Sequence, residues 1–162
     1  MPLTSYSTSD NSEIETPVSV VLQCLELVDI EPDDKVLDCC AGRVNMVWYD
    51  NIPSNNKDWC EILLGKDFLD YHEPSDWIIG NLPFNKFKQF FEHLLTLQIN
   101  KGFGIISLSH HLTPNRLQTL KKHGYYLQYV RRLKISEWRF GFLCDFMLFT
   151  KKPNNFMAVI KS

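Results

Sequence analysis

The sequence of 162 residues lacks several features that would assign it to a special class. It has no apolar run long enough to span a bilayer, and its N-terminus lacks the charged-then-apolar pattern of a secretory signal. The five cysteines form no CxxC pair, which argues against a zinc site and favours reduced thiols in a cytoplasmic protein. The formal net charge is only -2, so bulk positive charge cannot drive binding to nucleic acid.

The amino-acid composition is that of a globular protein. Apolar residues make up 44% and aromatic residues 13%, enough to form one well-packed core. Residues 1–15 are rich in Ser, Thr and acidic side chains, so we expect a flexible N-terminal tail there. We expect a single domain over residues 16–152 and a C-terminal tail over residues 153–162.

Apolar periodicity alternates along the chain between the spacing of strands and the spacing of helices. Strands are predicted at 35–38, 59–64, 77–80 and 102–108, helices at 18–28, 85–97 and 113–123, and a closing hairpin from runs 125–135 and 142–150. This alternation predicts an α/β fold, with a mostly parallel sheet, helices on both faces and a terminal antiparallel hairpin.

The strongest chemical signal is the tetrapeptide Asn81-Leu82-Pro83-Phe84, which follows the apolar strand at 77–80. Functional groups of open α/β sheets lie at the carboxyl ends of the strands. The Asn81 side-chain oxygen and the Leu82 carbonyl could accept the two N–H bonds of a planar amino group, and Phe84 could stack on its ring. An ordinary strand-ending turn is the alternative, and the surrounding motifs favour a functional role.

Two further segments suit a nucleoside-like ligand. Small residues follow the strand that ends at Asp38, and they would let the backbone at Ala41 and Gly42 approach a ligand closely. Acidic residues follow the next strand, where carboxylates could bind hydroxyl groups or a ring amine. Taken singly, the small-residue segment is equally consistent with a plain strand-to-helix turn, and Glu61 and Asp67 are more typical of ordinary surface acids.

In order and spacing these segments resemble the class I S-adenosylmethionine-dependent methyltransferases, especially compact adenine-N6 enzymes of phages and mobile elements with an Asn/Asp-Pro-Pro-aromatic motif. The resemblance covers Thr16 to Lys152 and implies a Rossmann-like, seven-stranded sheet, S-adenosylmethionine as cofactor and no metal. It implies catalytic roles for Asn81, Leu82, Pro83 and Phe84. It implies cofactor contacts from Thr16, Pro17, Asp38, Ala41, Gly42, Glu61, Asp67 and Phe68.

The substrate side is expected at the turn of the closing hairpin. Lys86, Trp138, Arg139 and Phe140 could contact bases and phosphates there, although the two aromatic residues could equally close the core. His110 and His111 should lie at the rim of the site, where solvated loop histidines are the more common finding. We expect nucleic acid as substrate, DNA rather than RNA, with a protein partner as a possible source of target recognition.

Departures from the family pattern leave alternatives open. Leu82 replaces the first proline usual in DNA enzymes, and an Asn-Leu-Pro-aromatic form also occurs in enzymes that dimethylate adenine in ribosomal RNA. A protein-glutamine methyltransferase would use a similar site, because a side-chain amide resembles the adenine edge. Arg43 and Val44 stand where the family usually keeps a small residue, which motivates the further alternative of an inactive binding or scaffold subunit.

Overall fold

The computed structural model describes residues 15–133 and 143–154 in full, and the backbone of 159–161. In this part of the chain the helices are α1 (Val18–Leu25), α2 (Val47–Asn51), α3 (Phe87–Leu94) and α4 (Pro114–Lys122). The strands are β1 (Lys35–Asp38), β2 (Asn56–Trp59), β3 (Ser75–Asn81), β4 (Ile99–Leu108), β5 (Tyr126–Arg132), β6 (Cys144–Thr150) and β7 (Val159–Lys161). None of these helices is both long enough and apolar enough to cross a membrane.

One sheet organises the molecule, with the strand order β2-β1-β3-β4-β6-β5-β7. The pairs β1–β2, β1–β3 and β3–β4 are parallel, whereas β6 is antiparallel to both β4 and β5. Strands β1 to β6 have described side chains. The sequence led us to expect seven strands, and this number is reached only when the short edge segment β7, which is parallel to β5, is counted. The expected Rossmann-like arrangement with an antiparallel hairpin is confirmed.

Helices cover both faces of the sheet, as the sequence predicts. Buried residues of α1 and α2 pack with Val36, Trp77 and Ile79 on one face. Buried residues of α3 and α4 pack with Leu37 and Ile78 on the other. Because successive side chains of a strand point to opposite faces, the short apolar runs of β1 and β3 supply both cores.

Helix ends follow local chemistry. Pro17 precedes α1 and Thr113 caps α4, where its hydroxyl accepts the Arg116 backbone N–H over 3.3 Å. The apolar run predicts a helix to Val28, but α1 ends at Leu25 because the next turn tightens to hydrogen bonds between residues three apart. The helix predicted over 85–97 is also shorter in the structure, where α3 spans Phe87–Leu94. A 3₁₀ turn at Phe84–Lys86 precedes it.

The segment between β1 and β3 differs most from the sequence prediction. The strand predicted over 59–64 is instead β2, which begins at Asn56 and ends at Trp59. As an edge strand, β2 has polar residues that can remain in contact with water, so its sequence lacks apolar alternation. The apolar residues Ile62–Leu64 form an exposed 3₁₀ turn, and α2 lies in a stretch for which no helix was predicted.

Candidate active site

A cavity of about 740 Å³ opens at the carboxyl ends of β1, β2 and β3, a volume typical of small-molecule sites. The predicted site residues that line it are Thr16, Ala41, Gly42, Glu61, Asp67, Phe68, Asn81, Leu82, Pro83, Phe84 and Lys86. Pro17 and Asp38 lie outside the lining of this cavity. Trp138, Arg139 and Phe140 fall outside the described residues, so their predicted substrate contacts stay a prediction.

The loop after β1 forms one side of the cavity. It turns at Gly42, whose φ of 80° is accessible to glycine at little cost. The Gly42 backbone N–H donates to Glu61 Oε2 over 3.0 Å, which ties this loop to the end of β2. Val44 is 74% exposed and lines the cavity, which remains open beside it.

Asp38 lies beneath this loop and is fully buried. Its carboxylate accepts the backbone N–H of Cys40 over 3.2 Å and that of Tyr49 over 3.1 Å. Burial in a low-dielectric interior disfavours the charged form and raises the pKa of Asp38 to about 7. Asp38 therefore holds the start of the loop and the first turn of α2, and its expected contact with the ligand stays a prediction.

Two carboxylates on the opposite side are oriented by backbone groups. Glu61 Oε1 accepts the Leu63 N–H over 3.1 Å, and Asp67 Oδ1 accepts the Leu69 N–H over 3.0 Å. A carboxylate offers about four acceptor positions, so each retains capacity toward the cavity. Phe68, only 2% exposed, packs against the Phe90 ring with centroids 5.2 Å apart and closes the floor between them.

Asn81 ends β3 at the centre of the cavity wall. Its side-chain oxygen Oδ1 is buried and has no hydrogen-bond partner among the described residues. Leaving such an acceptor unsatisfied costs about 1–3 kcal/mol, so the atom is suited to a donor that arrives with a ligand. The preceding Gly80 permits this placement, since a Cβ there would lie 3.0 Å from Cys39 Sγ and 3.1 Å from Asp38 Oδ1.

The rest of the tetrapeptide is held in position by the neighbouring strand. The Leu82 N–H donates to the Ile106 carbonyl over 3.2 Å, and the Leu82 side chain is buried. Pro83 has φ fixed near -65° and leads into the 3₁₀ turn that begins at Phe84. Phe84 is half-buried, packs against the core and lines the cavity together with Asn81.

A stack of side chains supports α3 from behind. The Phe87 ring lies 4.2 Å from the His111 ring and 4.8 Å from the Arg116 guanidinium, centre to centre. His111 Nδ1 is 2.5 Å from Ser107 Oγ, and burial lowers the pKa of His111 to about 4, which keeps the ring neutral near pH 7. His111 is therefore a packing residue, and neither it nor His110 lines the cavity.

Several residues of the wall were not predicted from the sequence, among them Trp48, Glu15 and Asn45. The Trp48 ring N–H donates to Thr16 Oγ1 over 3.1 Å in the interior, and both residues line the cavity. Glu15 and Asn45 line it as well and are hydrogen-bonded to each other. Trp48 belongs to the unpredicted α2, and the acidic Glu15 ends a polar stretch that carries no periodic signal.

Three arginines of the described residues donate hydrogen bonds within the protein. Arg116 donates to the His111 carbonyl, Arg131 to Gln23 and Arg132 to Asp145, at 2.7, 2.6 and 3.2 Å. Lys86, in contrast, is exposed at the cavity. Phosphate contacts at this site therefore depend on few cations within the described residues.

No protein-family model and no curated protein sequence matches the chain. Several solved structures, in contrast, match this chain. The 23S rRNA methyltransferase ErmE matches with a TM-score of 0.65 at 12% identity, over 83% of this chain and 68% of that one. A proposed class I S-adenosylmethionine-dependent methyltransferase from Listeria monocytogenes matches with a TM-score of 0.66 at 13% identity, over 91% and 64%.

A third structure, a proposed RNA methyltransferase from Pyrococcus horikoshii, matches with a TM-score of 0.60 at 18% identity, over 85% of this chain and 82% of that one. Identities this low show the fold alone. The chain therefore has the fold of the class I S-adenosylmethionine-dependent methyltransferases.

Proposed function

We propose that this chain is an S-adenosylmethionine-dependent methyltransferase that methylates the N6 amino group of adenine in nucleic acid. The observation that carries the proposal is Asn81, which lines a ligand-sized cavity and whose buried side-chain oxygen Oδ1 has no partner among the described residues. An amino group supplies the N–H that this oxygen lacks.

The residues of the cavity fit the cofactor. Glu61 has acceptor capacity for ribose hydroxyls, and Asp67 and Phe68 offer a carboxylate and an apolar floor to the adenine. Gly42 and Ala41 let the backbone approach its methionine end, and the exposed Val44 leaves that end open. When bound, S-adenosylmethionine supplies an electrophilic methyl group.

The tetrapeptide would orient the amine that receives this group. Asn81 Oδ1 and the Leu82 carbonyl accept its two N–H bonds, which directs the nitrogen lone pair into the cavity. The bond from the Leu82 N–H to Ile106 and the fixed φ of Pro83 hold these acceptors in place before the substrate arrives. Phe84 stacks on the base and helps to exclude water, so the chain acts through positioning and desolvation, with no covalent intermediate on the protein.

DNA is the first candidate polymer, because the motif order resembles compact adenine-N6 enzymes. A base in duplex DNA must leave the stack before its amino group reaches Asn81. RNA is the second candidate, favoured by Leu82 and by the structural similarity to ErmE, a 23S rRNA methyltransferase. A dimethyladenosine transferase from Plasmodium falciparum, with a TM-score of 0.57 at 11% identity, has the same fold.

The Asn81→Ala variant tests the proposal. We expect it to bind S-adenosylhomocysteine as the unaltered chain does, and to transfer methyl groups at least about a hundredfold more slowly, since an acceptor aimed at the reacting amine is lost. Activity is measured as labelled methyl groups incorporated into DNA and RNA, followed by nucleoside analysis. Asn115→Ala, at an exposed position of α4, is the matched control.

The outcomes separate the alternatives. N6-methyladenine in one polymer identifies that polymer as the substrate. If labelled methyl groups are found only in glutamine side chains of added protein, the substrate is protein and not nucleic acid. Calorimetric titration that finds no binding of S-adenosylmethionine or S-adenosylhomocysteine would contradict the enzyme proposal and favour the scaffold subunit.

A further inference from the structure

The segment before α1 and the loop after β1 are joined by one residue pair. Glu15 Oε1 accepts the Asn45 backbone N–H over 2.7 Å, and Glu15 Oε2 accepts the Asn45 side-chain N–H over 2.9 Å. We propose that Glu15 is a positioning residue that holds this loop as a wall of the cofactor cavity. The inference rests on the proposed function, because the ligand it concerns is the cofactor.

The pair separates two cavities. Beside the main cavity lies a second one of about 430 Å³, and the residues that line both are Glu15, Thr16, Asn45 and Val47. The hydrogen bond from Trp48 to the buried Thr16 anchors the chain immediately after Glu15. The Glu15 side chain therefore projects from a fixed point, and loss of its bonds would join the two cavities.

The loop needs such support because of its sequence. Arg43 and Val44 follow Gly42 and are exposed, so their side chains do little to bury the loop. Carboxylates from three segments instead hold its backbone: Asp38 binds its two ends, Glu61 binds Gly42, and Glu15 binds Asn45. Of these three, Glu15 alone belongs to the N-terminal segment, which the sequence suggested was a flexible tail.

Glu15→Ala should weaken the binding of S-adenosylhomocysteine about fivefold, the equivalent of one net hydrogen bond of about 1 kcal/mol. We expect faster dissociation of the ligand, and faster amide hydrogen exchange at Asn45 in the protein without ligand. The matched control is Glu26→Ala, an exposed position after α1, which should change neither quantity. Calorimetry, stopped-flow dissociation and exchange measured by NMR provide the readouts.

A complementary pair of substitutions distinguishes positioning from a general loss of stability. Asn45→Asp places like charges together and should weaken binding more than Glu15→Ala does. Adding Glu15→Gln should restore binding, because the glutamine amide donates to the new carboxylate and its oxygen accepts the backbone N–H. Rescue by the double variant E15Q/N45D supports the proposal, and an unrescued double variant overturns it.

The proposal and the proposed function fail separately. If the unaltered chain binds S-adenosylhomocysteine and Glu15→Ala binds it equally well with unchanged exchange at Asn45, the positioning role is wrong. If the unaltered chain does not bind it, the proposed function fails. Amide hydrogen exchange at Asn45 needs no ligand, so in that case it still tests whether Glu15 holds the loop after β1.

Discussion

Asp38 has the most unusual environment of any acidic residue in the site. Its pKa is about 7 in the folded chain, compared with about 3.9 for an unfolded aspartate, because burial disfavours the carboxylate. Between these two values the folded state binds more protons than the unfolded state. The stabilisation that this group contributes is therefore fully present below about pH 3.9 and is lost as the pH rises through about 7.

Asp38→Asn should remove this component of the pH dependence. We expect the free energy of unfolding of the unaltered chain, relative to the variant, to fall from about pH 5 to about pH 8, because only the carboxyl group titrates. Urea unfolding across this range measures the difference, with the exposed Asp33→Asn as the control. A constant difference between the unaltered chain and Asp38→Asn would show that Asp38 is ionised throughout the range.

Single residues at the site were predictable where a motif carried them. Asn81 and Gly42 both line the cavity, since Asn81 ends the apolar strand β3 and Gly42 lies in the loop after the short apolar strand β1. Glu15 was not predictable, because its partner Asn45 lies thirty positions away and neither residue belongs to a periodic pattern. The cofactor contact expected of Asp38 stays a prediction, and its bonds to the backbone of Cys40 and Tyr49 could not be predicted because the sequence does not reveal where a strand-end carboxylate points.

At the scale of elements, the parallel contact between β1 and β3 sets the shape of the site. Asp38 pairs with Ile79 in this register, so the next residue of β3, Gly80, lies beside the start of the loop. Apolar runs predicted both strands. The edge strand β2 and the helix α2 were not predicted, because an edge strand tolerates polar residues and a helix of five residues gives too short a pattern.

Gly80→Ala should therefore disturb both stability and binding. Gly80 has a φ of 152°, which residues with side chains rarely adopt, and the added Cβ would lie 3.0 Å from Cys39 Sγ and 3.1 Å from Asp38 Oδ1, so both side chains must shift. We expect a loss of about 1–3 kcal/mol in the free energy of unfolding, typical of overpacking, together with weaker binding of S-adenosylhomocysteine. Chemical denaturation and calorimetry measure the two effects.

Gly124→Ala is the matched control for this variant. Gly124 also has a positive φ, of 82°, but no atom lies within 4 Å of an added Cβ, and it follows α4, away from the cavity. The control should lose stability through backbone strain and bind ligand normally. Equal ligand affinity in the two variants would contradict the role given to the contact between Gly80 and the loop.

At the scale of the whole molecule, charge limits how a polymer could be bound. The net charge is -2, and several arginines donate to groups within the protein. Exposed lysines remain on the described surface at Lys86, Lys88, Lys121 and Lys122, so recognition of an extended target would depend on such local groups or on a protein partner. Of these lysines, Lys86 lines the cavity together with Arg43 and lies two residues after Phe84.

Lys86→Ala should weaken polynucleotide binding about fivefold and reduce the slope of log affinity against log salt by about one, as expected for one lost phosphate contact. Cofactor affinity should not change. Lys88→Ala is the control, since Lys88 is 79% exposed and lies 3.8 Å from Glu92. Fluorescence anisotropy with labelled oligonucleotides at several salt concentrations measures both variants. Equal losses in the two would mean that general surface charge, and not the cavity mouth, attracts the polymer.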